Sequence, residues 1–205
     1  MANAIVQKYG DNCPAGINPV DFDADYPFTV DWYGVPENHC ADVFDCAHDA
    51  VLDGTAASDL RPFVTRTNDL DVFKAWIGLP DAYVRSGKSI APRDITCAYD
   101  ETFADSSAAL NDYEFRGLML AAGCYLFGDS ADVAQYRRAI ELRLAPFEIA
   151  VYAARRLIFR SGGSLTITGP PAVLISHRIE LQSGSTITTQ TVSRILSDHL
   201  IKVEV

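Results

Sequence analysis

Arg156-Leu-Ile-Phe-Arg-Ser-Gly162 returns 22 residues later as Arg178-Ile-Glu-Leu-Gln-Ser-Gly184, and Leu200-Ile-Lys-Val-Glu-Val205 begins a third copy. The register carries through the residues between. Ser164-Leu-Thr-Ile-Thr168 falls on Thr186-Ile-Thr-Thr-Gln190, Val173-Leu174 on Ile195-Leu196, and His177 on His199. Short β-prone runs bent at small residues, with a period of about 20 residues, are the pattern of stacked coils in which each repeat buries a face on the next.

In this register Leu157 and Phe159 take the places of Ile179 and Leu181, and of Ile201 and Val203. Residues 156–160 therefore read as a strand pairing in parallel with both later copies. Parallel pairing needs a crossover, and bends at Gly162, Gly169-Pro-Pro171 and Gly184 supply one per repeat. Leu165 over Ile187 and Val173 over Ile195 are the expected inward stacks. The identities at 161/183, 162/184, 166/188, 174/196, 177/199 and 179/201 resemble the coils of right-handed parallel β-helix proteins, the group of pectin-lyase-like enzymes, surface adhesins and phage tail proteins. The resemblance covers the last quarter of the chain and about two coils.

Ahead of the repeat the sequence reads as mainly helical. Residues 147–154 carry Phe147, Val151 and Ala154 at helical spacing, so a helix ends near Ala154 and caps the first coil. Residues 129–144, opened by Asp129 or Ser130, form another helix. A third runs from a cap at Ser106 or Ser107 to Phe127, and its half from Leu118 onward is apolar all round, which implies burial on every side. Asp69 to Ile77 is a shorter helix. Asn38 caps a helix over residues 39–53 whose one face holds Cys40, Val43, Phe44, Ala47 and Val51 and whose other holds Asp42, Asp45, Asp49 and Asp53. Phe28-Thr-Val-Asp-Trp-Tyr33 alternates as a short strand. The expected architecture is α+β: an acidic, mainly helical domain of residues 1–154, packed on and capping a parallel β-solenoid of residues 155–205.

Charge and cysteine content narrow the function classes. The 205-residue chain carries a net charge of −10. Residues 1–71 hold 13 Asp and Glu against Lys8, Arg61 and Arg66, so the front of the chain is a poor binder of nucleic acid. Five cysteines without a CxxC pair do not make a disulfide framework or a zinc ribbon. No basic leader precedes an apolar run, and no run approaches the roughly 20 residues of a membrane helix, so the reading is cytoplasmic by default, with export by a non-classical route left open. Arg137, Arg138, Arg143, Arg155, Arg156 and Arg160 are the one basic concentration, either solvated or docked on the acidic strip at 42–53.

Motifs that invite chemistry are incomplete. Asp21-Phe-Asp-Ala-Asp25 opens like a calcium loop, but Tyr26 and Trp32 stand where glycine and glutamate are needed. Ser86-Gly-Lys-Ser89 ends like a phosphate loop, but Ala82 replaces its first glycine and Pro92 blocks the following helix. His39, Asp42 and Cys46 share a helical face and are the candidate metal ligands, one short of a closed site. No cofactor is implied. His177 and His199 are expected at one corner of adjacent coils, where a stacked pair reads first as a packing ladder of identical residues, and otherwise as part of a metal site or a pH-responsive pair.

The sequence therefore points to a non-catalytic structural or interaction module. Its edge at Leu200, Ile201, Lys202, Val203, Glu204 and Val205 pairs with a protein partner or a second copy, giving a homo-oligomer. The alternative is a glycan-binding or polysaccharide-cleaving β-helix protein, in which Arg178, Glu180, His177 and His199 face the ligand. A secreted virulence or toxin component is the third reading.

Overall fold

The computed structural model describes residues 35–85, 103 and 109–203. The expected strand at 28–33, the acidic loop at 21–25, the turn at 86–89, the caps Ser106 and Ser107, and Glu204 and Val205 lie outside the described residues. Helix and strand are mixed, and the sheets are parallel. Strands β1 (Cys40–Cys46), β2 (Asp49–Leu52) and β3 (Phe63–Thr67) come first. Helices α1 (Leu70–Ile77), α2 (Asp112–Phe127) and α3 (Arg137–Leu144) follow, then β4 (Phe147–Phe159), β5 (Ser164–Ile167), β6 (Ala172–Gln182), β7 (Thr186–Thr189) and β8 (Ser193–Val203). By contact the described residues group into two compact units, one drawn from Met1–Thr65 and Glu148–Val205 and the other from Arg66–Phe147.

In the first unit the chain alternates between two sheets. One has the order β1-β4-β6-β8, with β3 also on β4; the other has the order β2-β5-β7. Parallel registers of Arg156 on Arg178 and of Ser164 on Thr186 confirm the 22-residue spacing across β4/β6 and β5/β7. Two expectations are corrected. Residues 39–53 are not a helix: β1 pairs with β4, Cys40 on Ala153 through Cys46 on Phe159, and β2 pairs with β5, Asp49 on Ser164 through Leu52 on Ile167. Nor do residues 147–154 form a capping helix, because β4 crosses residues 154 and 155 without a break. Both segments have apolar residues at spacings a helix could use, but residues 40–52 pair along β4 and β5 and residues 150–154 along β6, which buries Cys46, Ala50 and Leu52 in the first segment and residues 149–154 in the second.

The core lies between the two sheets and is built of columns, one residue per layer. Cys46 and Phe159 form one column; Ala50 and Leu165, Leu52 and Ile167, and Leu157 and Ile179 form others, and all of these are buried. Tyr152 is fully buried, and its hydroxyl accepts the Gly54 backbone N–H at 2.6 Å. Gly54 and Gly169 occupy matching corners after Leu52 and Ile167, with φ of 82° and 81°.

The second unit is helical. Asp69 caps α1, accepting from the N–H groups of Asp71 and Val72. Asn111 and Glu114 form a reciprocal capping box, so α2 begins at Asp112. α2 is not buried all round: Phe115 is 49% and Met119 48% exposed. Lys74 holds the unit together, with its ammonium donating to Asp81 (2.5 Å) and to the carbonyls of Tyr125 (2.7 Å) and Gly128 (3.1 Å). Residues 130–136 are 3-10 turns, interrupted at Val133 (φ −128°), ahead of α3. Arg137 is held by Asp71 at 2.7 Å and Glu141 at 3.1 Å.

Candidate functional site

β8 and β7 end the two sheets among the described strands, and burial fades toward them. Leu165 is 0% exposed, whereas Ile187, the next residue in its column, is half-buried. Leu174 is 1% exposed and Ile195 half-buried; Ile179 is 2% exposed and Leu200 41%. Two columns also change chemistry in this layer. Leu52 and Ile167 are followed by Thr189, and Phe159 and Leu181 by Lys202. The last layer is thus an apolar centre of Ile187, Ile195 and Leu200 bordered by Thr189 and Lys202. A charge placed in an inward column blunts an edge strand against indiscriminate pairing.

The register of β8 differs from the sequence expectation by one residue. Ser176 pairs with Ser197 and Arg178 with His199, a spacing of 21. The cause is a shorter corner: residues 190–192 join β7 to β8, whereas residues 168–171 join β5 to β6. A slip of one residue exchanges the faces of a strand. Leu174 therefore stacks on Ile195, and Arg194, not Ile195, lies beside Val173. Ile179 likewise meets Leu200 and not Ile201.

The same slip places Asp198 beside His177. Nδ1 of His177 lies 2.8 Å from Oδ2 of Asp198, and the His199 ring meets the His177 ring edge-on at 5.3 Å. The registered pairs skip Asp42, Arg155, His177 and Asp198, one position in each long strand, which marks an outer corner. Beneath it the hydroxyls of Ser176 and Ser197 donate to the carbonyls of Arg178 (2.9 Å) and His199 (3.0 Å), satisfying acceptors that the interrupted ladder leaves over. The identities at 22 residues, which set His177 on His199, hid Asp198, because the corner before β8 is one residue shorter.

Arg178 and Glu180, expected to face a ligand, face each other at 2.7 Å, and Arg156 reaches the same carboxylate at 2.9 Å. The hydrogen bond from Arg156, against a smaller effect of burial, holds the Glu180 carboxyl below its ordinary value. Two arginines do meet the acidic stretch: Arg160 binds Asp45 at 2.6 Å and Arg155 lies 3.5 Å from Asp42.

The structure does not bring His39, Asp42 and Cys46 together as metal ligands. On extended chain, Asp42 and Cys46 are separated by four steps of about 3.3 Å. The Asp42 side chain is 87% exposed, and the His39 ring packs edge-on against Phe63. Cys46 is buried, its thiol donating to the carbonyls of His48 and Ser164, and burial pushes its pKa up, away from the thiolate a metal requires. Among the described residues no group of three His, Cys, Asp or Glu side chains is placed to hold a metal ion, and no helix is long and apolar enough to cross a membrane. Comparison with protein-family models, curated proteins and solved structures found no match.

Proposed function

We propose that the first unit is a short β-solenoid, of the kind found in parallel β-helix proteins, and that the protein is a non-catalytic interaction module binding through its last layer. A second copy of the chain is the first occupant to test, and a partner protein is the other. The observation that carries the reading is the loss of burial from Leu165, Leu174 and Ile179 to Ile187, Ile195 and Leu200 within single columns. An apolar centre with a polar border is the anatomy of a binding face. Lys202 favours finite association over open-ended stacking, because each added layer would have to bury its ammonium.

Light scattering on size-separated protein tests this. The expected result is a mass above the 22.4 kDa of one chain that rises with concentration, and that returns to one chain in Leu200→Glu. Lys202→Leu is expected to grow without limit, seen as turbidity, because it restores the apolar column of Phe159 and Leu181. A constant monomer mass, with β7 and β8 amides as protected from hydrogen exchange as those of β5 and β6, would overturn the proposal.

A further inference from the structure

The two halves of β8 favour different registers, and one corner residue joins them. Between Ser193 and Ser197 a spacing of 21 fits better, because it sets Ser193 on Ala172, Ile195 on Leu174 and Ser197 on Ser176. A spacing of 22 would put Arg194 on Ala172 and Asp198 on Ser176, charges set on two buried positions. From Leu200 onward the preference reverses. At 21, Leu200 and Lys202 follow Ile179 and Leu181, while Ile201 and Val203 lie on the opposite face beside Glu180 and Gln182. At 22, Ile201 would follow Ile179, Val203 would follow Leu181, and Lys202 would stand beside Glu180. That arrangement turns two apolar residues inward and an ammonium toward a carboxylate, which is what a strand of period two requires. The backbone nevertheless keeps 21 through to Val203. Between the halves lies the outer corner, where Asp198 is the one residue of β8 outside the registered pairs. Three contacts hold the corner to a single residue. Asp198 Oδ2 lies 2.8 Å from His177 Nδ1, the Ser197 hydroxyl donates to the His199 carbonyl at 3.0 Å, and the His199 ring meets the His177 ring edge-on at 5.3 Å.

We infer that the contact of Asp198 with His177 is a register lock. It keeps residues 199–203 at a spacing of 21, and without it the corner takes in His199 as a second residue and the strand beyond slips to 22. An extra residue taken into one strand of a pair is a bulge, and a shift of one residue exchanges the faces of the strand. Asp198 is thus a positioning residue for Leu200 and Lys202, acting through His177 of the neighbouring strand. The inference deepens the reading of the last layer as a binding face, and it rests on that reading for its effect on association. Locked, the layer carries Lys202 in the column of Phe159 and Leu181, and association stays finite. Slipped, Val203 continues that column, Ile201 continues the column of Leu157 and Ile179, and the ammonium leaves the inward face, so further layers stack.

Disulfide trapping in dilute protein reads the register within one chain. Neighbours on adjacent strands lie about 4.8 Å apart, within reach of a disulfide, whereas residues on opposite faces are not. Ile179→Cys is paired with Leu200→Cys, its neighbour at 21, or with Ile201→Cys, its neighbour at 22, and the products are mapped by peptide mass. With Asp198 in place the Leu200 pair is expected to close and the Ile201 pair to stay open. Asp198→Ala is expected to reverse that ratio, and Asp198→Asn, which keeps an acceptor for Nδ1–H, to restore it. An Asp198→Ala protein that still closes the Leu200 pair, or closes both pairs equally because residues 199–203 fray, would overturn the lock. Light scattering then tests the consequence. Asp198→Ala without added cysteines is expected to grow in mass without limit, and adding Val203→Glu, which charges the slipped column, is expected to stop the growth. Val203→Glu alone faces outward in the locked register and is expected to leave the wild-type mass unchanged. A reversed ratio with no change in association refutes the binding face alone, and an unreversed ratio in a protein that associates refutes the lock alone.

Discussion

Gly169→Val is expected to cost the first unit about 3 to 5 kcal/mol, combining a forbidden backbone region with a collision against main chain. The φ of Gly169 is 81°, a region that a β-branched residue hardly enters. A Cβ there would stand 2.3 Å from the carbonyl oxygen of Asp53 and 3.0 Å from its carbonyl carbon. Asp53 cannot move aside easily, because its backbone N–H donates to Ser58 and its carboxylate accepts from Thr55 and Ser58. The neighbouring rung is also fixed by the bond from the Thr168 N–H to the Leu52 carbonyl at 2.8 Å. Urea unfolding followed by circular dichroism measures the loss. Gly123→Ala is the control: a Cβ there meets nothing within 4 Å, and alanine in a helix is expected to add about 0.5 to 1 kcal/mol. A Gly169→Val loss below about 1 kcal/mol would show that the layers are not in the contact described.

Lys74→Ala is expected to destabilise the helical unit by about 2 to 4 kcal/mol, toward the lower end because Asp81 keeps partial access to water. Lys74 is 9% exposed, and its three donors are all used, on Asp81 and on the carbonyls of Tyr125 and Gly128. Removing it strands two carbonyls near the C-terminus of α2 and leaves Asp81 to the Ser130 N–H and hydroxyl. Lys74→Met should recover the packing of the aliphatic stem but not the donors, so it falls between alanine and wild type. The pair also sets an acid limit. Burial works to raise the Asp81 carboxyl, but the hydrogen bonds from Lys74 and Ser130 outweigh it and hold the group below its ordinary value. A lowered carboxyl contributes stability that is present above its unfolded pKa and lost as pH falls through the folded one. The wild-type unit should therefore weaken below about pH 4, and Lys74→Ala should weaken less steeply there. Equal acid slopes in the two proteins would contradict this account.

The parallel pairing of β4 with β6 and of β5 with β7 was legible in the sequence because each copy repeats both its apolar positions and its Ser-Gly corner at 161/162 and 183/184. The same reasoning missed β1 and β2. Their layer lies more than a hundred residues before its neighbour, with the helical unit between, and its first corner is Ala47-His48 where the later layer has residues 160–163. Only Gly54, matching Gly169, marked the layer locally. Alternation in Cys40-Ala-Asp-Val-Phe-Asp-Cys46 was too weak to outweigh the helical spacing of the same residues. The candidate metal set fell with that helix, since its ligands shared a face only at 100° per residue.

The sequence by itself determined that β4 pairs with β6 and β5 with β7 in parallel at 22 residues, because side chains repeated at one period are buried together when the copies stack. Leu200 to Val203, part of the expected edge at 200–205, lie in β8, an end strand of its sheet among the described strands. Only the tertiary structure decided which residues of that edge face inward. A corner one residue shorter moves every side chain of β8 by one place, bringing Asp198 to His177 and Lys202 into the column of Phe159. A period read from identities cannot see this, because the identities continue at 22 while the backbone pairs at 21.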